Sequence, residues 1–82
     1  MRYTTSDLTN AAEYLTETLH AAGIAQTAFV YQANGSQCIA IQDDSDRGNV
    51  VREYATEYGT KAEVMDMYHA YMRGFSKARR DA

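Results

Sequence analysis

Three aspartates fall within four positions, Asp43, Asp44 and Asp46, in the stretch QDDSDRGNV. Clustered carboxylates can hold a hard cation such as calcium or magnesium. An EF-hand loop needs oxygen ligands at its first, third and fifth positions, glycine at the sixth and glutamate at the twelfth. Counting from Asp43 puts Arg47 at the fifth position and Tyr54 at the twelfth. Counting from Asp44 puts Gly48 and Ala55 there. Neither register holds an ion. The cluster is expected to cap a following helix instead, with Ser45 or Asp46 accepting from its first N–H groups.

Nucleophile and base candidates are few. Cys38 is the single cysteine, and His20 and His69 are the two histidines. One thiol builds neither an internal disulfide nor a cysteine-based metal site. An activated thiol needs a base within hydrogen-bond reach, and nothing local to Cys38 supplies one. In an apolar strand it is expected to be a small packed side chain. Asn34-Gly35 is turn chemistry rather than a phosphate loop. No pair of groups declares an acid, base or nucleophile, so the chain is expected not to be an enzyme and to use no metal and no cofactor.

The elements that place these residues fit one domain spanning residues 1–82. A chain this short buries about 60–65% of its unfolded surface, a thin margin. Residues 4–22 read as a helix: Leu8, Ala11, Ala12, Leu15, Leu19 and Ala22 form one stripe, and the far face carries Glu13, Glu17 and His20. Thr4 with Asp7 resembles a capping box, and Gly23 ends the helix. Residues 26–33 and 36–42 read as strands around a type I′ turn. That register pairs Val30 with Ile39 and Ala28 with Ile41 on one face, Phe29 with Ala40 and Tyr31 with Cys38 on the other. Both faces are apolar and both want cover.

Residues 47–58 read as a second helix, with a stripe of Val50, Val51, Tyr54, Ala55 and Tyr58. Gly59 ends it. Thr60 with Glu63 caps a third helix over 61–79, where Gly74 could admit a close backbone. The expected fold is α+β in the order α-β-β-α-α, a two-stranded antiparallel hairpin packed with three helices.

Charge divides the chain. Residues 1–46 hold Asp7, Glu13, Glu17, Asp43, Asp44 and Asp46 against Arg2, a balance of −5, and the remainder is +2, giving −3 in all. Glu13, Glu17, Asp43, Asp44 and Asp46 are therefore the expected contacts for a basic or nucleic-acid-binding protein. The basic end, Arg73, Lys77, Arg79 and Arg80, offers an alternative as nucleic-acid contacts, but so few charges disfavour direct nucleic-acid binding. Phe29, Tyr31, Met67 and Tyr71 are more aromatic and thioether surface than so small a domain can bury, so they are the expected self-association residues of a homodimer. No run approaches the roughly 20 apolar residues of a membrane span, and one free cysteine suits a reducing compartment, so a cytoplasmic protein is expected.

The stretch YATEYGTKAEVMDMY resembles a helix-turn-helix corner, with Ala55 four positions before Gly59. Thr60 replaces the usual apolar residue, and Glu63 and Asp66 would face phosphates, so it is expected to be a plain glycine corner. The opening YTTSDL and the closing GTKAEVMDMYHAYMRGF look like the small accessory proteins encoded by phages and prophages, the anti-CRISPR proteins among them. That resemblance implies a non-catalytic inhibitor in the host cytosol, blocking a host defence complex by occlusion or by acidic mimicry of phosphate.

Overall fold

The computed structural model describes residues 2–44 and 53–81, the last three by their backbone alone. Helix α1 spans Thr5–Ala21 and starts on the expected capping box. Thr4 N donates to Asp7 Oδ2 at 2.8 Å, and Asp7 N donates to Thr4 Oγ1 at 3.2 Å. Aspartate serves in place of the longer glutamate. At the other end Gly23 takes φ +79°. This lets Gly23 N reach His20 O at 3.0 Å and Ile24 N reach Leu19 O at 2.9 Å, a Schellman closure.

Strands β1 (Gln26–Ala33) and β2 (Ser36–Asp43) form the expected hairpin. Asn34 and Gly35 both have positive φ, as a type I′ turn requires. The register is Ala28 with Ile41, Val30 with Ile39, Phe29 with Ala40 and Tyr31 with Cys38. Ala28, Ile39 and Ile41 join the helix-facing core with Leu8, Leu15, Leu19, Val64 and Tyr68. Helix α1 lies mainly against β1, and the second helix packs against both α1 and β2.

The expected helix over 47–58 is corrected where it is described. Residues 47–52 lie outside the described residues. Glu53–Tyr54 is instead a strand, β3, pairing antiparallel with β2 through Ala40–Tyr54 and Ile41–Glu53. The next residues keep to the same edge. Ala55 N donates to Ile39 O at 2.9 Å, Ile39 N donates to Thr56 Oγ1 at 2.9 Å, and Gln37 and Gly59 exchange bonds at 3.0 and 3.2 Å. The physical reason lies in β2. Gln37, Ile39 and Ile41 turn their backbone groups away from β1, and Gln37 and Ile39 are buried, so those groups need partners. A segment following β2 supplies them; a helix there could not.

Helix α2 spans Lys61–Asp81 and begins on the Thr60–Glu63 box, at 2.9 and 3.2 Å. The described architecture is thus α+β with two helices on one face of a three-stranded antiparallel sheet, ordered β1-β2-β3. Gly74 admits no neighbouring backbone among the described residues: none of them comes within 4 Å of where its Cβ would stand. No described helix is long and apolar enough to cross a membrane.

Candidate protein-binding surface

The face of the sheet turned away from the helices carries rings on both flanks and small residues between them. Cys38 and Ala40, on the central strand, are fully buried. Phe29 and Tyr31 stand on β1, and Tyr54 and Tyr58 on the far side of β2. The rings lean toward one another. Phe29–Tyr31 and Tyr31–Tyr58 meet edge to face, each with centroids 6.3 Å apart, and Tyr54–Tyr58 are 6.1 Å apart. Tyr31 stands on β1, and Tyr58 directly precedes Gly59, which bridges to Gln37 on the other side of β2, so rings at this spacing must reach across β2, above the Cys38 thiol.

The titration behaviour follows from this arrangement. Burial pushes the Cys38 thiol up, and a hydrogen bond with Tyr58 only partly offsets that. The thiol is fully buried beneath the rings. Tyr58 is pushed up to about 12, first by loss of water around its hydroxyl and then by Cys38, Tyr54 and Tyr31.

Beyond Tyr54 and Tyr58 the surface drops into an open groove of about 830 Å³ between this segment and α2. Met67, Ala70 and Tyr71 form its helical wall, and Glu57 sits at its rim. Glu57 N donates to Met67 Sδ at 3.4 Å, which ties the two walls together. Tyr71 stacks on Phe75 with centroids 6.5 Å apart. Burial and then the charge of Glu53 keep its hydroxyl protonated above the usual range.

Phe29, Tyr31, Met67 and Tyr71, expected from sequence as self-association residues, come from distant elements. Tyr54 and Tyr58 link them into one continuous surface. Sequence reasoning missed these two by assigning them to a helix stripe.

The expected acidic residues are not gathered in the same way. Glu13 and Glu17 are exposed on α1. Asp43 accepts from Gln26 Nε2 at 3.1 Å. Asp44 accepts from the Thr27 hydroxyl and meets His20 Nε2 at 3.0 Å, so it fastens the end of the hairpin to α1. Asp46 lies outside the described residues, as does the helix cap expected of it and Ser45. On α2, Arg73 and Lys77 line a second, smaller groove with Tyr14 and His69. Arg79 and Arg80 continue the same helix, but their side chains lie outside the described residues. Cys38, His20 and His69 sit in three separate places. No group of three His, Cys, Asp or Glu among the described residues could hold a metal ion.

No protein-family model, curated protein or solved structure matches this chain.

Proposed function

We propose that this chain is a non-catalytic protein-binding module and that it binds through the tyrosine surface and its groove. The observation that carries this reading is the exposure of Tyr31, Tyr54 and Tyr58, at 42%, 53% and 44%, in one row of touching rings whose Tyr54 and Tyr58 line an apolar groove. Tyrosine offers large rigid contact area with a polar tip, at little cost in conformational freedom. Rings already braced edge to face have less freedom to lose on binding. The polar side chains lining the groove are the Tyr54, Tyr58 and Tyr71 phenols, the Thr56 hydroxyl and the Glu57 carboxylate.

The resemblance to phage-encoded anti-CRISPR proteins makes the partner a component of a host defence complex in the cytosol and the mode occlusion. Glu13 and Glu17, exposed on the neighbouring helix, would then favour a basic partner. The test is affinity capture from the host with wild type and with Tyr54→Ala/Tyr58→Ala, each checked for folding by circular dichroism. A partner bound by wild type and lost at least about tenfold by the variant supports the reading. A partner retained by that variant but lost on reversing Glu13 and Glu17 moves the interface to α1.

A second reading rests on Tyr14, 59% exposed beside Arg73 and Lys77. An aromatic ring flanked by cations suits a single-stranded nucleic acid. Salt-dependent binding of an oligonucleotide, lost in Arg73→Ala/Lys77→Ala, would establish it. No binding at low salt removes it.

A further inference from the structure

The alternation that aims Gln37 and Ile39 at residues 55–59 acts equally on β1. In a hairpin closed by a two-residue turn, Ala33 and Ser36 exchange hydrogen bonds, and so do Tyr31 with Cys38 and Phe29 with Ala40. The backbone groups of Ala28, Val30 and Gln32 therefore point away from β2. They line the free edge of the sheet, because β1 is an outer strand.

Thr16, reaching from α1, covers Ala28. Its Oγ1 accepts from Ala28 N at 2.9 Å and lies 3.2 Å from Ala28 O. Val30 and Gln32 have no such cover among the described residues. The usual protections of an edge are missing as well. Residues 27–33, TAFVYQA, contain no charge, no proline and no glycine. An open edge of this composition is a template for another strand.

We propose that this edge pairs with the same edge of a second copy, antiparallel, about a two-fold axis at Tyr31. In that register Val30 faces the second copy's Gln32, and Gln32 faces its Val30. Each of these pairs exchanges two backbone hydrogen bonds. Tyr31 faces its own counterpart, and Phe29 faces Ala33, a large ring beside a methyl group. No like charges meet. The open stretch also ends where the pairing must end. One step on, Ala28 would face Asn34, where the second copy's chain turns back. Ala28 is the residue Thr16 already satisfies. The intramolecular cap and the intermolecular strand thus divide the edge without competing.

The joint is isologous and closes with two copies. It turns two three-stranded sheets into one of six strands. The ring row then runs from Tyr54 and Tyr58 of one copy, through both Tyr31 rings, to those of the other. The pairing uses backbone on the sheet edge, so it stands or falls independently of what the groove binds.

Sedimentation equilibrium of the full chain between about 10 µM and about 1 mM tests it, the range suited to a contact this short. The average mass should rise from 9.2 kDa toward twice that. Gln32→Pro should weaken association at least about tenfold, and Gln32→Ala should preserve it. Proline here removes only an outward N–H, which an edge strand tolerates, and circular dichroism checks that β1 survives. Should Gln32→Pro unfold the chain, Tyr31→Lys sets two like charges opposite each other without altering the backbone. A mass of 9.2 kDa throughout overturns the proposal, and so does a dimer that the folded variants leave unchanged.

Discussion

Replacing Thr16 by valine isolates a single hydroxyl. Thr16 Oγ1 accepts from Ala28 N at 2.9 Å and has Ala12 O at 2.9 Å and Ala28 O at 3.2 Å as acceptors for its one hydrogen. Valine keeps the shape and the β-branch, so the change is almost purely polar. Ala28 is only 6% exposed, so its N–H cannot turn to water when the acceptor goes. A buried donor left unpaired costs about 1–3 kcal/mol. The Ala12 carbonyl loses less, because it still takes its helical bond. A loss of about 2 kcal/mol is expected, which in a domain of this size lowers the melting temperature by roughly 8–16 °C. Urea unfolding at low micromolar protein, where self-association contributes little, should show a lower midpoint and an unchanged slope. Thr16→Ser keeps the oxygen and should lose at most about 1 kcal/mol. A Thr16→Val protein within about 0.3 kcal/mol of wild type refutes the view that this hydroxyl seals the edge at Ala28. A serine variant as weak as the valine one refutes it equally.

Gly74→Ala should raise stability by about 1 kcal/mol, since the helix gains propensity and the new methyl meets nothing within 4 Å. Gly23→Ala, equally uncrowded but at φ +79°, should lower it by about 1 kcal/mol; paired urea curves separate space from backbone strain. Alkaline pH should weaken the fold. Cys38 is raised above 9.0, Tyr68 and Tyr71 above 10.0, and Tyr58 to about 12, so the folded chain holds these protons more tightly. Their contribution is complete below the unfolded values and lost as pH rises through the folded ones. Urea midpoints should therefore fall from about pH 9 upward, and a midpoint that rises would contradict the assignment. At the acid end, bonds from the Thr60 backbone and hydroxyl hold the Glu63 carboxyl below its usual range. That stabilisation is present above the unfolded pKa and lost as pH falls through the folded one. Thr60→Ala should cost about 1 kcal/mol at pH 7 and reduce the acid-side slope.

The two helices and the hairpin were legible because their signals are local. A capping box is four residues long, Asn-Gly demands one kind of turn, and Gly23 closes α1 with atoms at most five residues away. The 53–59 segment was not legible in the same way. Tyr54, Ala55 and Tyr58 fit a helical stripe, yet Glu53–Tyr54 pairs as a strand and residues 55–59 follow the β2 edge. What favoured the strand was the row of outward backbone groups on Gln37, Ile39 and Ile41, more than ten residues earlier. The candidate site shares that fate. Phe29, Tyr31, Met67 and Tyr71 were identifiable as surplus apolar surface, but nothing in their spacing joins them. The aspartates were identifiable as a cluster, yet the contacts of Asp43 and Asp44 to Gln26, Thr27 and His20 depend on where the hairpin meets α1.

The sequence by itself determined where α1 and α2 begin, how the hairpin turns, its register, and that both of its faces are apolar. Each of these is settled by backbone sterics and capping within a few residues. Only the tertiary structure decided what covers those faces and edges. The helices take one face, and tyrosines lean over the other. A third strand takes the β2 edge, and the Thr16 hydroxyl takes the β1 edge at Ala28. The physical reason is that buried backbone groups must find partners wherever the chain can bring them, and that need is invisible at short range.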